Sequence, residues 1–342
     1  MTRMRLGKTG LMVSRVGFGG IPIQRIPKEE AVTIVRGVID LGVNFIDTAN
    51  GYSDSEEKIG VAIKGIKRDS LVISTKSRAP DKKSLLENLD LSLKRLGTDY
   101  IDIFHLHNVS TPESRDAAFA PGGAYEGVEE AVKAGKIRFP AFSSHNIRFA
   151  VDIMKTGKFA AVQLGFNCLD NEAEQEAIPL AKKLDIGFIG MKPIGGGMIE
   201  NIGAAMRYVL QFDNVMPDPG IAKLSEMREI AMIVNENGAY SDEDKRAVRS
   251  LAIEMGDSWC HRCEYCQPCP QEIGISSVLR LDSSLKRFPF AVAVGMLGKD
   301  MEKAAGCVEC GQCVKRCPYD LQIPALLKSK LTLWEKARRE NT

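Results

Sequence analysis

The placement of its nine cysteines constrains this 342-residue chain more than any other feature. Only Cys168 precedes residue 260. The other eight form two runs, Cys260-x2-Cys263-x2-Cys266-x2-Cys269-Pro270 and Cys307-x2-Cys310-x2-Cys313-x3-Cys317-Pro318. Three cysteines at successive x2 spacing let one short loop hold several corners of an iron–sulfide cube, and a fourth followed by Pro reaches across to a second cube. On that rule one 4Fe–4S cluster belongs to Cys260, Cys263, Cys266 and Cys317, and a second to Cys307, Cys310, Cys313 and Cys269. The second run carries the bacterial ferredoxin spacing throughout, whereas the first has x2 before its last Cys where that spacing has x3. Zinc is the competing reading, since paired C-x2-C motifs build zinc ribbons, and a single cluster in a degenerate domain is another. Disulfides belong to oxidising compartments. Residues 1–10 carry charge and no apolar run, so no signal peptide is expected and the cytoplasm is the expected location. Cys168 reads as a small buried apolar residue.

Charge and hydropathy exclude other classes. Lys plus Arg number 46 and Asp plus Glu 44, a net charge of +2, which gives no support to a nucleic-acid partner. The apolar stretch 290–297 is too short to span a bilayer, so no membrane insertion is expected. From Arg280 onward there are twelve Lys/Arg against seven Asp/Glu. That excess offsets clusters carrying about −2 each. It also suits an acidic electron carrier of ferredoxin or flavodoxin type, although a solvated helix surface explains it equally.

The first 255 residues alternate short β-rich runs with helical periodicity. Strands are expected at 16–19, 44–48, 71–75, 100–105, 137–142, 160–164, 186–190 and 215–218. Helices are expected at 28–41, 82–96, 125–134, 172–184 and 202–212. Strands alternating with helices mean a parallel sheet, and eight such units in this length fit an α/β (β/α)8 TIM barrel. An open doubly wound sheet is the alternative, but Gly17-Phe18-Gly19-Gly20 is followed by Pro22 where a dinucleotide fingerprint needs its third Gly. That glycine run reads instead as a close backbone approach. The barrel is expected over 1–256. A small, mainly helical, ferredoxin-like iron–sulfur domain is expected over 257–342, with helices at 275–288, 290–305 and 323–339.

Barrel chemistry sits at the C-terminal ends of the strands. Asp47, Tyr52, Lys76 and His107 all fall there. Each alone has an ordinary reading: a helix cap, a packed ring, a solvated cation, a hydrogen-bonded core residue. Together they suit carbonyl reduction, which needs a proton on oxygen as negative charge develops. A free tyrosine, with a pKa near ~10, donates poorly. A nearby ammonium lowers that value, an aspartate holds the ammonium, and a histidine orients the substrate oxygen.

The segments Arg5-Leu6-Gly7-Lys8-Thr9-Gly10, Phe45-Ile46-Asp47-Thr48-Ala49-x2-Tyr52, Ser55-Glu56-Glu57-x2-Gly60, Ser74-Thr75-Lys76 and Asp102-x3-Leu106-His107 resemble the aldo/keto reductase superfamily, in family order, over residues 4–229. The chain is most similar to the branch whose barrel carries a C-terminal 4Fe–4S domain, so the likeness reaches nearly its whole length. The resemblance implies an oxidoreductase that reduces an aldehyde or ketone, or oxidises the alcohol, with NADP(H). Tyr52 would be the general acid, tuned by Lys76 and Asp47, with His107 placing the carbonyl. Ser143, Ser144 and Gln163 would hold the nicotinamide amide, and Lys192, Gly195, Gly196 and Gly197 the pyrophosphate. Met191 stands where the family often stacks an aromatic ring on nicotinamide. Lys223 and Glu229 would grip the adenosine end, with Lys223 facing a 2′-phosphate. Ile230 replaces the expected Asn.

Hydride chemistry moves two electrons and clusters move one, and no flavin motif is evident to convert between them. Three readings follow: a nicotinamide-dependent carbonyl reductase with clusters in a separate role; a ferredoxin-linked enzyme whose clusters feed the barrel, through a flavin; and a non-catalytic electron-transfer subunit. Retention of all four polar residues argues against the third. The 108–125 segment, with Phe119, Gly122, Gly123 and Tyr125, is expected to wall the substrate site as a mobile, partly apolar lip.

Overall fold

In the computed structural model, which describes residues 1–236, 238–256, 258–261, 266–317 and 319–341, the chain opens with an antiparallel hairpin. Its strands are β1 (Arg3–Arg5) and β2 (Met12–Ser14). There follow β3 (Phe18–Gly19), α1 (Lys28–Asp40), β4 (Phe45–Asp47), α2 (Ser55–Ile63), β5 (Val72–Ser77), α3 (Lys82–Leu96), β6 (Ile101–Leu106), α4 (Pro112–Phe119), α5 (Ala124–Lys133) and β7 (Ile137–Ser144). Then come α6 (Ile147–Lys155), β8 (Ala161–Gly165), α7 (Ala177–Lys183), β9 (Gly187–Met191), α8 (Ile202–Leu210), β10 (Val215–Asp218), α9 (Leu224–Glu236) and α10 (Asp242–Gly256).

Strands β3 to β10 pair in parallel and in chain order. The ends of this sheet meet: Gly17 N–H donates to Pro217 O and Gly19 N–H to Pro219 O, both at 2.9 Å, and Gly19 bridges Gly220. A Cβ on Gly19 would lie 2.8 Å from Pro219 O, so the expected close approach of the glycine run is the seam that closes the barrel. The hairpin was not anticipated. Its Leu6, Leu11 and Val13 pack with Phe45, Val72, Ile103, Ala161, Ile189 and Met216, a layer at the N-terminal ends of the strands. One pleat further along, the same strands point Asp47, Ser74, His105, Gln163 and Asp218 inward, all buried. The barrel is thus apolar at its floor and polar near its rim.

The helix expected at 172–184 is shorter, a single 3-10 turn at Glu172–Glu174 and then α7. Pro179 explains this, because its ring excludes the carbonyl of residue 175 from a helical position and it has no N–H to donate. Phe119 and Tyr125 pack with Phe159, at ring-centroid distances of 6.1 and 5.4 Å, and so belong to the wall and not to a lip.

The chain divides into two units, Met1–Asp244 and Lys245–Thr342, at the start of α10; residue 256, the expected boundary, is the end of that helix. Beyond it lie α11 (Ile275–Leu279), α12 (Leu281–Arg287), α13 (Phe290–Ala305), α14 (Gln312–Arg316) and α15 (Ile323–Glu340). The expected 275–288 helix breaks at Arg280, whose guanidinium lies 4.2 Å over Trp259. The core of this unit is Ile273, Val278, Leu281, Leu297, Met301, Leu327 and Trp334, with Cys260 and Cys266 buried in it. No helix among the described residues is long and apolar enough to cross a membrane.

Candidate active site and cluster cavity

The structure brings Asp47, Tyr52, Lys76 and His107 together at the barrel rim. Asp47 ends β4 and stands opposite Ser74 of β5; Lys76 stands opposite His105 of β6. The Lys76 ammonium pairs with Asp47 Oδ2 and donates to Thr48 O at 2.7 Å. Asp47 Oδ1 also accepts from Ser74 Oγ at 2.7 Å. Tyr52 sits on a turn after β4, its N–H bonded to Ala49 O at 2.9 Å. Its ring centroid is 5.5 Å from Lys76 Nζ and 5.7 Å from the His107 ring, edge to face.

Burial sets the charge states. It pulls the Lys76 ammonium towards neutrality, but its neighbours, the Asp47 carboxylate first, hold the pKa above its ordinary value. Burial first, then Lys76, drives His107 well below 6.5, so its imidazole is neutral, with Nδ1 unpartnered among the described residues. His105 is held down to about 3 by the same two causes, and its Nε2 lies 3.0 Å from Ser74 Oγ. Asp218, at the end of β10, goes the other way. Burial and then Asp47 push it well up, and its Oδ1 has no hydrogen-bond partner among the described residues.

The residues expected at the nicotinamide amide lie on the same rim. Gln163 Nε2 donates to Asp47 Oδ2 at 3.2 Å and to Asp218 Oδ2 at 3.1 Å. Ser143 and Ser144 are buried and already engaged. Ser143 Oγ accepts from Asn108 N–H at 2.9 Å, and Ser144 Oγ from Asn146 N–H at 3.1 Å. Met191 ends β9. After it Lys192, Gly195, Gly196 and Gly197 all have positive φ, from 60° to 86°, which makes a tight loop with its backbone open to close approach. Lys223 and Glu229 are exposed, and Ile230 is buried in the wall. Glu226, absent from the expected set, accepts from the N–H groups of Ala222 and Lys223 at 2.8 and 3.0 Å.

Sequence reasoning missed Ser74, His105 and Asp218. Asp218 closes an expected strand, so the rule that selected Asp47, an ionisable residue at a strand's C-terminal end, selects it too. His105 and Ser74 show only once the register assigns them to the inner face.

In the second unit, Cys269, Cys307, Cys310 and Cys313 line one cavity of about 370 Å³, part of it open to solvent, together with Cys266, Ile273, Pro324 and Leu327. Among the described residues no two cysteines form a disulfide. Cys263 lies outside the described residues. Among the described residues no three His, Cys, Asp or Glu side chains are close enough to hold a single metal ion; the thiols ring the cavity instead. His261, beside Cys260, stacks on Tyr319, two residues after Cys317, with centroids 3.7 Å apart. The start of one run and the end of the other are therefore adjacent. Thiols around an apolar cavity fit a thiolate-held cluster.

Comparison with known proteins agrees with this geometry. The Aldo/keto reductase family matches residues 15–239, and a 4Fe-4S dicluster domain matches residues 259–322. Aldo-keto reductase AMT2 of Alternaria alternata is 26% identical over 340 residues, spanning 82% of this chain and 85% of the relative. The uncharacterized oxidoreductase YqkF of Bacillus subtilis is 28% identical over 213 residues, 58% of this chain and 67% of that protein. In fold, the holo form of aldo-keto reductase AKR11C1 from Bacillus halodurans superposes with a TM-score of 0.65 at 23% identity, covering 73% of this chain and 96% of the other. An aldo-keto reductase from Klebsiella pneumoniae in complex with NADPH gives 0.61 at 21%, covering 73% and 94%. With its parallel barrel, polar rim and matched family, the chain belongs to the aldo/keto reductases: it is an oxidoreductase of that family with a C-terminal 4Fe-4S dicluster domain.

Proposed function

We propose that the barrel reduces a small aldehyde or ketone, or oxidises the corresponding alcohol, with NADP(H), and that Tyr52, Lys76, Asp47 and His107 carry the chemistry. The observation that supports this most is the buried Lys76–Asp47 pair beneath the Tyr52 ring, with neutral His107 at its edge. The nicotinamide, when bound, supplies the hydride. Tyr52 donates the proton to the carbonyl oxygen, and the Lys76 ammonium stabilises the phenolate left behind. Asp47 keeps Lys76 charged and in place. His107, uncharged, offers the substrate oxygen a hydrogen bond without competing for the proton. Gln163 and the Ser143–Ser144 corner suit the carboxamide, and the loop from Lys192 through Gly195, Gly196 and Gly197 suits the pyrophosphate. Lys223 is an exposed cation suited to a 2′-phosphate, with Glu229 one turn and a half along α9.

The cluster assignment made from spacing stands as part of the proposal. Cys269 shares a cavity with Cys307, Cys310 and Cys313, as cross-ligation needs, and the His261–Tyr319 stack supports Cys317 joining Cys260, Cys263 and Cys266. Thiolates held this way call for a reducing compartment, which supports the cytoplasm. The cavity is part open, with Cys310 exposed, which favours a second reading: electrons exchanged with a ferredoxin- or flavodoxin-type carrier, with flavin as converter.

Tyr52→Phe tests the chemistry. Carbonyl reduction should fall by a factor of about 10² to 10⁴ with folding unchanged. Activity that survives the change would remove the tetrad from the mechanism. Lys223→Ala should lower the preference for NADPH over NADH, and an unchanged ratio rejects the 2′-phosphate contact.

A further inference from the structure

The proton relay described above leaves Asp218 without a role, yet the barrel is built around it. Its side chain points inward from the last residue of β10 and is 4% exposed. From β4 it faces Asp47, from β5 Lys76, and from β8 Gln163; His105 of β6 lies beyond Ser74. Its register partner on β9, Met191, is uncharged. At the seam a Cβ on Gly17 would come within 2.8 Å of Asp218 Oδ1, so a glycine there makes the room.

The hydrogen bonds fix more than position. Asp47, paired with the Lys76 ammonium, is ionised and can only accept. The Gln163 atom facing it is therefore the amide nitrogen. That nitrogen has two hydrogens, and the second goes to Asp218 Oδ2. The Gln163 carbonyl is thereby turned away from both carboxyls. Lys76 is committed to Asp47 and Thr48 O, so no cation is left for a second buried carboxylate. A carboxyl so placed is driven towards its neutral form by burial and by Asp47, and in either form its Oδ2 accepts the Gln163 hydrogen.

We propose that Asp218 is a positioning residue that locks Gln163 with its carbonyl toward the ligand, so that the site selects a ring amide able to donate a hydrogen bond. The proposal rests on the nicotinamide reading above. It assigns Gln163 one face of the carboxamide, the NH2 side, and makes Asp218 the residue that enforces it.

The test is equilibrium binding of NADP+ and of its 3-acetylpyridine analogue, in which a methyl ketone replaces the amide, to the intact cluster-loaded protein. The wild type should prefer NADP+ by about tenfold, the worth of one buried hydrogen bond. Asp218→Asn keeps an accepting oxygen in the shape of the neutral acid and should retain that preference. Asp218→Leu removes the acceptor and should reduce it to about twofold or less. Should the leucine variant not fold, Asp218→Ala makes the same comparison. Binding of neither dinucleotide to the wild type would overturn the nicotinamide reading itself. Binding of both without preference, loss of the preference in the asparagine variant, or its persistence in the leucine or alanine variant would overturn the role of Asp218 alone.

Discussion

Lys76 is a buried ammonium with a buried carboxylate as its partner, and each depends on the other. Replacing one leaves the other charged and unpaired, which costs about 3–5 kcal/mol, whereas replacing both with neutral groups of similar size removes most of that penalty. Lys76→Met should therefore destabilise the barrel by that amount, and Asp47→Asn in the same chain should restore most of it, as measured by denaturant unfolding. His105 sets an acid limit. Its pKa is about 3 when folded against 6.5 ordinarily. Above pH 6.5 neither state is charged there, and nothing is lost. Below it the unfolded chain takes up a proton that the folded chain refuses until about pH 3, so stability falls with pH through that window. From pH 6.5 to 5 the loss through His105 alone is about 2 kcal/mol. His105→Gln should shrink the difference in urea midpoint between those pH values, and an unchanged difference would show that His105 is not the cause. The grouping of the four candidate residues was legible in the sequence because Asp47, Lys76 and His107 lie at or just after the C-terminal ends of recognisable strands, where barrels place their chemistry. Ser74 and His105 were not, because an inward residue within a strand reads as core until its neighbours' register is known.

Helices and strands were legible to different degrees. α13 and α3 occupy the spans their periodicity predicts, because apolar residues at helical spacing need only a wall to pack on. α7 was overestimated because the apolar pattern continued through Pro179, and the backbone rule overrode the pattern. The packing of α2 on α3 turns on one residue that the pattern does not single out. A Cβ on Gly60 would lie 2.2 Å from Arg95 O, a backbone atom that cannot move aside without shifting α3. Gly60→Ala should cost about 1–3 kcal/mol or more, visible as a lowered melting temperature, although alanine is the better helix former. A variant as stable as the wild type would mean that the two helices have slack at this contact.

At the scale of the whole molecule, the two units should respond differently to loss of metal. Thiols stand in and around the second core, so cluster binding should couple to the fold of that unit. Anaerobic protein should contain about eight irons with matching sulfide, and Cys310→Ser about four. Oxidative removal of iron should abolish the helical signal of the second unit while the barrel keeps its own unfolding transition; loss of both together would show that the units fold as one. Flavin co-purifying with the iron would favour the electron-relay reading. Its absence would favour direct hydride transfer. The sequence by itself determined the chemistry available: eight thiols in two runs, four polar residues at strand ends, a parallel alternation of elements. These are local, set by spacing along the chain. The tertiary structure alone decided which distant groups meet. Gln163 stands 116 residues from Asp47 and 55 from Asp218, and the three share one amide only because the barrel closes through the Gly17–Gly19 seam. Closure and register are products of long-range pairing, and a period of two along a strand tells which residues share a face but not which strand that face will meet.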